Sequence, residues 1–191
     1  MSARAERRIA DERFWLREAV AVLVSPRMVF TVLRDDSDEA ARARQEAITA
    51  LTILAGIASV LWTPQWGRLM DDPAYDGLLV AVVSFVAGAI YGPVLYWLAG
   101  LLVYAAERAL RLGASFRRAR HVVAFAAAPI ALSLVLWPAR LAIYGEDLFR
   151  TGGSDHGAGN LVFVGLELAF AAWSLALLAV GLWAVNAARQ S

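Results

Sequence analysis

Apolar residues fall into four long runs along this chain, and the connections between them are of two chemically different kinds. The run 122–143 is broken only by Ser133 and Arg140. Its 22 residues, rising about 1.5 Å each in a helix, reach about 33 Å, enough for a hydrocarbon core of about 30 Å. This predicts a membrane span at 122–144. The run 78–106 is longer than one perpendicular crossing needs and shorter than two, so the surplus goes into tilt, a kink at Pro93 or protrusion at its Glu107 end. The run 161–188, interrupted by Glu167, Ser174 and Asn186, predicts the last span. The stretch 47–63 has only 16 cleanly apolar residues. It suffices if Arg42 and Arg44 snorkel at one end while Trp62 and Trp66 anchor the other; a re-entrant segment is the alternative.

Ahead of these runs, Ile9, Phe14, Trp15, Leu16, Val20, Leu23 and Val24 alternate in helical fashion with Arg7, Arg8, Arg13, Arg17 and Glu18. Such a helix lies in a membrane interface or docks on the protein's own face, and amphipathicity does not choose between lipid and protein. Ser25 followed by Pro26 predicts a capped second helix presenting Met28, Val29, Phe30 and Leu33. Asp36 and Glu39 have the spacing of a capping box, and the acids Asp35, Asp36, Asp38 and Glu39 suit a helix N-terminus. That helix starts near Ser37 and runs on into 47–63. Nothing in the charged start resembles a cleavable signal. The expected fold class is all-α: a polytopic membrane bundle of four transmembrane helices behind an N-terminal amphipathic region, residues 1–46.

Composition agrees, with 60% hydrophobic residues among 191 and a mean hydropathy of +0.56, against about 45 to 50% apolar in soluble domains. A net charge of +1 gives no field for nucleic acid. Cysteine is absent, which excludes disulfides and thiolate chemistry. All 18 cationic side chains are Arg, as expected of a GC-rich bacterial genome, and their placement carries the information. Nine lie in residues 1–46, five (Arg108, Arg111, Arg117, Arg118 and Arg120) in 107–121, and one in the tail; 64–77 and 145–160 hold one each, and Arg140 lies inside a span. Positive charge stays on the cytoplasmic side. Both termini and the central loop are therefore expected in the cytoplasm, the spans in a bacterial inner membrane, and the acids Asp71, Asp72, Asp76, Glu146, Asp147 and Asp155 outside.

Ionisable residues within spans are expensive, and Arg140 and Glu167 are the two well inside. Each sits about 8 to 9 Å below the outer surface by helical rise, so they could form an intramembrane ion pair. The other readings are Arg140 snorkelling outward with Glu167 in a wet pocket, or a site for a proton, ion or lipid headgroup. Ser84, Gly88 and Gly92 form a small-residue row for close helix packing, within the chain or between copies. The five central arginines either set topology or hold anionic headgroups. Asp71, Asp72 and Asp76 read as a solvated acidic loop in preference to a magnesium diphosphate cluster. His121 and His156 fall on opposite sides of the membrane, so no histidine metal site is expected, and no cofactor. The glycines at 152, 153, 157 and 159 follow no strand and mark a flexible loop. No nucleophile–base pair or paired carboxylate suggests an enzyme.

Taken in order, the Ser25, Pro26, Phe30, Leu33 element, the Gly113, Ser115, Phe116, Arg117 loop and the Phe125, Ala126, Ala127, Ala128, Pro129 start of the next helix resemble the Yip domain (Ypt-interacting protein) family in its bacterial branch. The resemblance covers about residues 20–188. It implies a small multispanning membrane protein. Eukaryotic members resemble adaptors that bind small GTPases and shape vesicle traffic. Two departures stand out: the family commonly has five crossings against four here, and Ala89 occupies the place of the acidic residue before Gly92 and Pro93. No GTPase-binding role is carried over. The expected function is a non-enzymatic scaffold or adaptor, meeting membrane lipids and a protein partner on its cytoplasmic face. A small permease or lipid-moving protein using Arg140 and Glu167 is the alternative.

Overall fold

The computed structural model describes residues 14–63, 71, 72, 74–113, 115–153 and 157–187. The expectations placed on Arg7, Arg8, Ile9, Arg13, Trp66, Arg68, Asp155 and His156 lie outside the described residues, as do the side chains of Phe14, Trp15 and Glu146. No strand occurs among the described residues. The helices are α1 (Phe14–Val24), α2 (Pro26–Val32), α3 (Asp38–Leu61), α4 (Gly77–Ala109), α5 (Phe116–Ala126), α6 (Ala128–Leu132), α7 (Leu136–Tyr144) and α8 (Ala158–Asn186). Segments α5 to α7 form one bent rod. Among the described residues, that rod, α3, α4 and α8 are the four elements long and apolar enough to cross a membrane.

The bends have identifiable causes. The rod breaks at Ala127, ahead of Pro129 in the first turn of α6, and tightens to a 3-10 turn at Ser133–Val135. Pro138 has no N–H for the Leu134 carbonyl, and its ring would clash there, so the chain tightens at this point. In α4, by contrast, the helix continues through Pro93. The start of α3 corrects the expected capping box. Ser37 is the N-cap: its hydroxyl accepts the Ala40 N–H at 3.3 Å, and Asp35 Oδ1 accepts the Ser37 N–H at 3.0 Å. Asp36 turns instead to Arg117, 3.7 Å away.

Helices α3 and α4 form the most extensive pairing. A Cβ at Gly56 would collide with the Gly88 carbonyl oxygen, and one at Gly92 with the Thr52 carbonyl oxygen, so the backbones touch where the small-residue row crosses α3 of the same chain. The core continues through Ile48, Leu51, Val122, Phe125 and Leu177, all buried. Helix α4 packs on α5 and helix α8 on α5 and α6, and α4 and α8 share almost no direct contact with each other.

The N-terminal elbow has two apolar faces. Ala19, Val22, Phe30 and Leu33 are buried in the bundle, the Phe30 ring lying against Gly181 of α8. Leu16, Val20, Val24, Met28 and Val32, every fourth residue, stay exposed on the other side. Met28 therefore points away from Phe30 and Leu33, although the sequence groups them together.

Candidate functional site

Three places concentrate polar chemistry against apolar walls. The first joins α7 to α8. Arg140 is 8% exposed; its Nη1 donates to Glu167 Oε1 at 2.6 Å and its Nη2 to Asn160 Oδ1 at 3.1 Å. The guanidinium faces the rings of Trp137 and Phe163, 4.8 and 5.5 Å from their centroids. Asn160, Phe163 and Glu167 share one face of α8, and Trp137 stands one turn before Arg140. Sequence reading missed Asn160, Trp137 and Phe163. Their helical spacing to Arg140 and Glu167 was the available signal, and for Asn160 it was lost because 145–160 read as loop.

The second place is the basic end, where α3 begins, α4 ends, α5 begins and α8 ends. Here the five central arginines separate by role. Arg117 binds Asp38 at 2.6 Å and Asp36 at 3.7 Å, while buried Arg118 donates to the Gly113 carbonyl at 3.2 Å. Arg120 lies 3.7 Å from the Trp97 centroid and 4.8 Å from that of Phe116, its stem filling the space that Gly100 leaves. Arg108 donates to the Tyr104 hydroxyl at 3.0 Å and remains exposed, as does Arg111. Arg111 takes a left-handed φ of 57° where α4 ends. Its N–H reaches the Arg108 carbonyl and that of Leu112 the Glu107 carbonyl, a Schellman closure without the usual glycine.

Arg44 corrects the snorkelling expectation. It is 5% exposed and donates to the Asp35 carbonyl at 2.5 Å, because the 33–38 turn folds back over it. Arg34 reaches across the bundle to the Ala184 carbonyl at 2.6 and 3.0 Å, supplying donors to a helix end that lacks them. Burial pushes the carboxyl of Glu18 on α1 upward, with Arg44 pulling it down. Buried His121 lies among these groups, and no set of three potential metal ligands gathers among the described residues.

At the opposite end the aspartates serve the loops. Asp71 Oδ1 accepts the Thr151 N–H at 2.9 Å, and hydrogen bonds from Thr151 hold its carboxyl below the usual range. Asp72 closes a turn onto Ala74, and Asp76 caps α4 through Leu79.

The third place is the set of cavities. One of about 740 Å³ opens between α3, α4 and α7, bounded by Ile57, Ala81, Phe85, Trp137 and Leu141, with Tyr75, Asp76 and Arg150 also lining it. Another of about 210 Å³ lies between α4 and α8 over Thr52, Gly56 and Ser174. The third, about 330 Å³, sits at the basic end between Glu107 of α4 and Asn186 of α8. None of the three is lined by Arg140 or Glu167.

No curated protein and no solved structure shows significant similarity to this chain. Residues 20–190, from the elbow to the end of α8, match the family model of the Yip1 domain. Four membrane-length helices behind a packed elbow, together with that match, place the chain in the Yip1 domain family of membrane proteins.

Proposed function

We propose that this protein is a non-enzymatic membrane scaffold that offers its basic end to a protein partner in the cytoplasm. One observation carries the reading: neither member of the intramembrane ion pair lines any of the three cavities. Arg140 is held by Glu167, Asn160 and two rings, whereas a transported solute needs an open polar path. The basic end suits docking because it is braced. Arg117, Arg44 and Arg34 tie the elbow, α3, α5 and α8 into one surface, from which Arg108 and Arg111 project. The arginine count supports the cytoplasmic placement of this end and of both termini.

The test is photocrosslinking from positions 108 and 111 in native membranes. A discrete protein adduct is expected; adducts to lipid alone would overturn the scaffold reading. The lipid-moving alternative draws on the cavity of about 740 Å³, a volume within the range of about 300 to 1,000 Å³ usual for ligand pockets, with Trp137 in its wall. It requires lipid exchange between leaflets that stops when Leu141→Trp fills the cavity.

A further inference from the structure

The cavity at the basic end contains an imbalance of hydrogen-bonding groups. Its walls include Val103, Leu110, Leu182 and Trp183, with Glu107 and Asn186 as the polar members. Glu107 is 3% exposed and Asn186 8%. Asn186 Nδ2 donates to Glu107 Oε1 at 2.8 Å and to the Leu182 carbonyl at 2.8 Å. Both neighbours of that nitrogen are acceptors, so the orientation of the amide is fixed. Two oxygens are left over: Glu107 Oε2 and Asn186 Oδ1, each buried and without a donor. An unpaired buried acceptor is costly, and two on adjacent groups beside one cavity call for a common donor.

The chemistry of that donor is constrained. Two oxygens in an apolar wall fall short of the six or more that calcium or magnesium takes, and no thiolate or imidazole among the described residues lines the cavity to suit zinc. An ammonium group carries several N–H donors and needs no such shell. Helices α4 and α8 both end here, and helix C-termini favour positive charge. At the rim, exposed Arg27 stands over the Trp183 ring, 5.2 Å from its centroid, with no carboxylate in ion-pair range among the described residues. Acceptors inside and a guanidinium outside match a zwitterion. The cavity also sits where the helices end, and the exposed apolar residues Leu101, Leu102 and Trp183 lead from it along the membrane faces of α4 and α8.

We propose that this cavity holds the headgroup of a phospholipid bearing a primary ammonium, of the phosphatidylethanolamine class. The ammonium donates to Glu107 Oε2, which the soft terminal torsion of the side chain can turn toward the cavity, and to Asn186 Oδ1. The phosphate faces Arg27, and the acyl chains lie along α4 and α8. The lipid thereby bridges two helices that otherwise barely meet. This inference stands apart from the scaffold reading, since it concerns a lipid and not the partner at positions 108 and 111.

The experiment uses the delipidated full chain in mild detergent, titrated with short-chain phosphatidylethanolamine, its N-methyl and N,N-dimethyl forms and phosphatidylcholine, with bound lipid counted by native mass spectrometry. A charge-assisted hydrogen bond corresponds to about a tenfold change or more in affinity, so phosphatidylethanolamine should bind at least about tenfold tighter than phosphatidylcholine, whose ammonium has no N–H. Affinity should fall along the methylation series. Glu107→Gln should bring that preference to about twofold or less, while Arg27→Gln should weaken every lipid alike and leave the ratio intact. Equal binding of the two lipids by the unaltered chain would overturn the proposal. So would a preference that survives Glu107→Gln. Should Glu107→Gln fail to fold, the methylation series on the unaltered protein still decides.

Discussion

Glu167→Gln keeps the shape of the side chain and one acceptor but removes the counter-charge that Arg140 meets at 2.6 Å. The two side chains are 9% and 12% exposed, so water cannot take over the lost role. Removing one member of a buried pair costs about 3 to 5 kcal/mol. Arg140 keeps the Asn160 oxygen and the faces of Trp137 and Phe163, which places the expected loss at the low end, about 3 kcal/mol. An ordinary interhelical hydrogen bond in a membrane contributes only about 0.6 kcal/mol, so the two accounts are well separated. The double replacement Arg140→Met with Glu167→Leu removes both charges and retains bulk, and should lie within about 1 kcal/mol of the unaltered protein. Unfolding from bicelles by added dodecyl sulfate, followed by tryptophan fluorescence, measures all three. A loss below about 1 kcal/mol for Glu167→Gln, or a double variant less stable than the single one, would refute the account of a structural clamp.

Three further outcomes follow from other parts of the fold. Gly92→Ala drives a Cβ into the Thr52 backbone and should cost about 1 to 3 kcal/mol in the same unfolding assay, whereas Gly165→Ala, where a Cβ meets nothing, should cost no more than about 0.5 kcal/mol. Arg111→Gly relieves a left-handed residue at the end of α4 and should stabilise the protein by up to about 1 kcal/mol, read as a raised midpoint. The Asp71 carboxyl titrates below its ordinary value of about 3.9, so its tie to Thr151 contributes fully above that pH and is lost as pH falls through the depressed folded value. Hydrogen exchange at the Thr151 amide should keep constant protection from about pH 7 to 5 and lose it in more acid solution; protection already lost near pH 5 would contradict the assignment.

Hydropathy revealed the four rods because a bilayer demands long apolar runs, but it placed their ends poorly. Hydropathy by itself would start α3 at 47, since its first turns are polar yet fully helical; the cap residues, not the apolar run, set the expected start near Ser37, and the helix begins at Asp38. Asn160 was read as loop for the same reason. The meeting of Arg140 with Glu167 was legible from depth alone, whereas Glu107 with Asn186 was not: the two lie 79 positions apart at the ends of separate spans, where polar residues look like ordinary boundary markers. The arginines show a similar limit. Counting them yields only an expected side of the membrane, and only packing separates Arg120, wedged among Tyr96, Trp97 and Phe116, from the exposed Arg108 and Arg111. Periodicity in the elbow could not choose between protein and lipid because both faces are apolar, and one of them is buried in the bundle.

The grip of Arg34 on the Ala184 carbonyl spans 150 positions, and Phe30 waits for Gly181 over a similar interval. Ribosomes add about 5 to 20 residues each second, so the elbow is made roughly 8 to 30 seconds before its dock exists. During that time Phe30 has no seat on α8, and a nascent chain arrested before position 181 should leave the 25–37 segment open to protease while the finished protein protects it. The elbow is thus made long before it settles, and its closure marks that α8 has arrived.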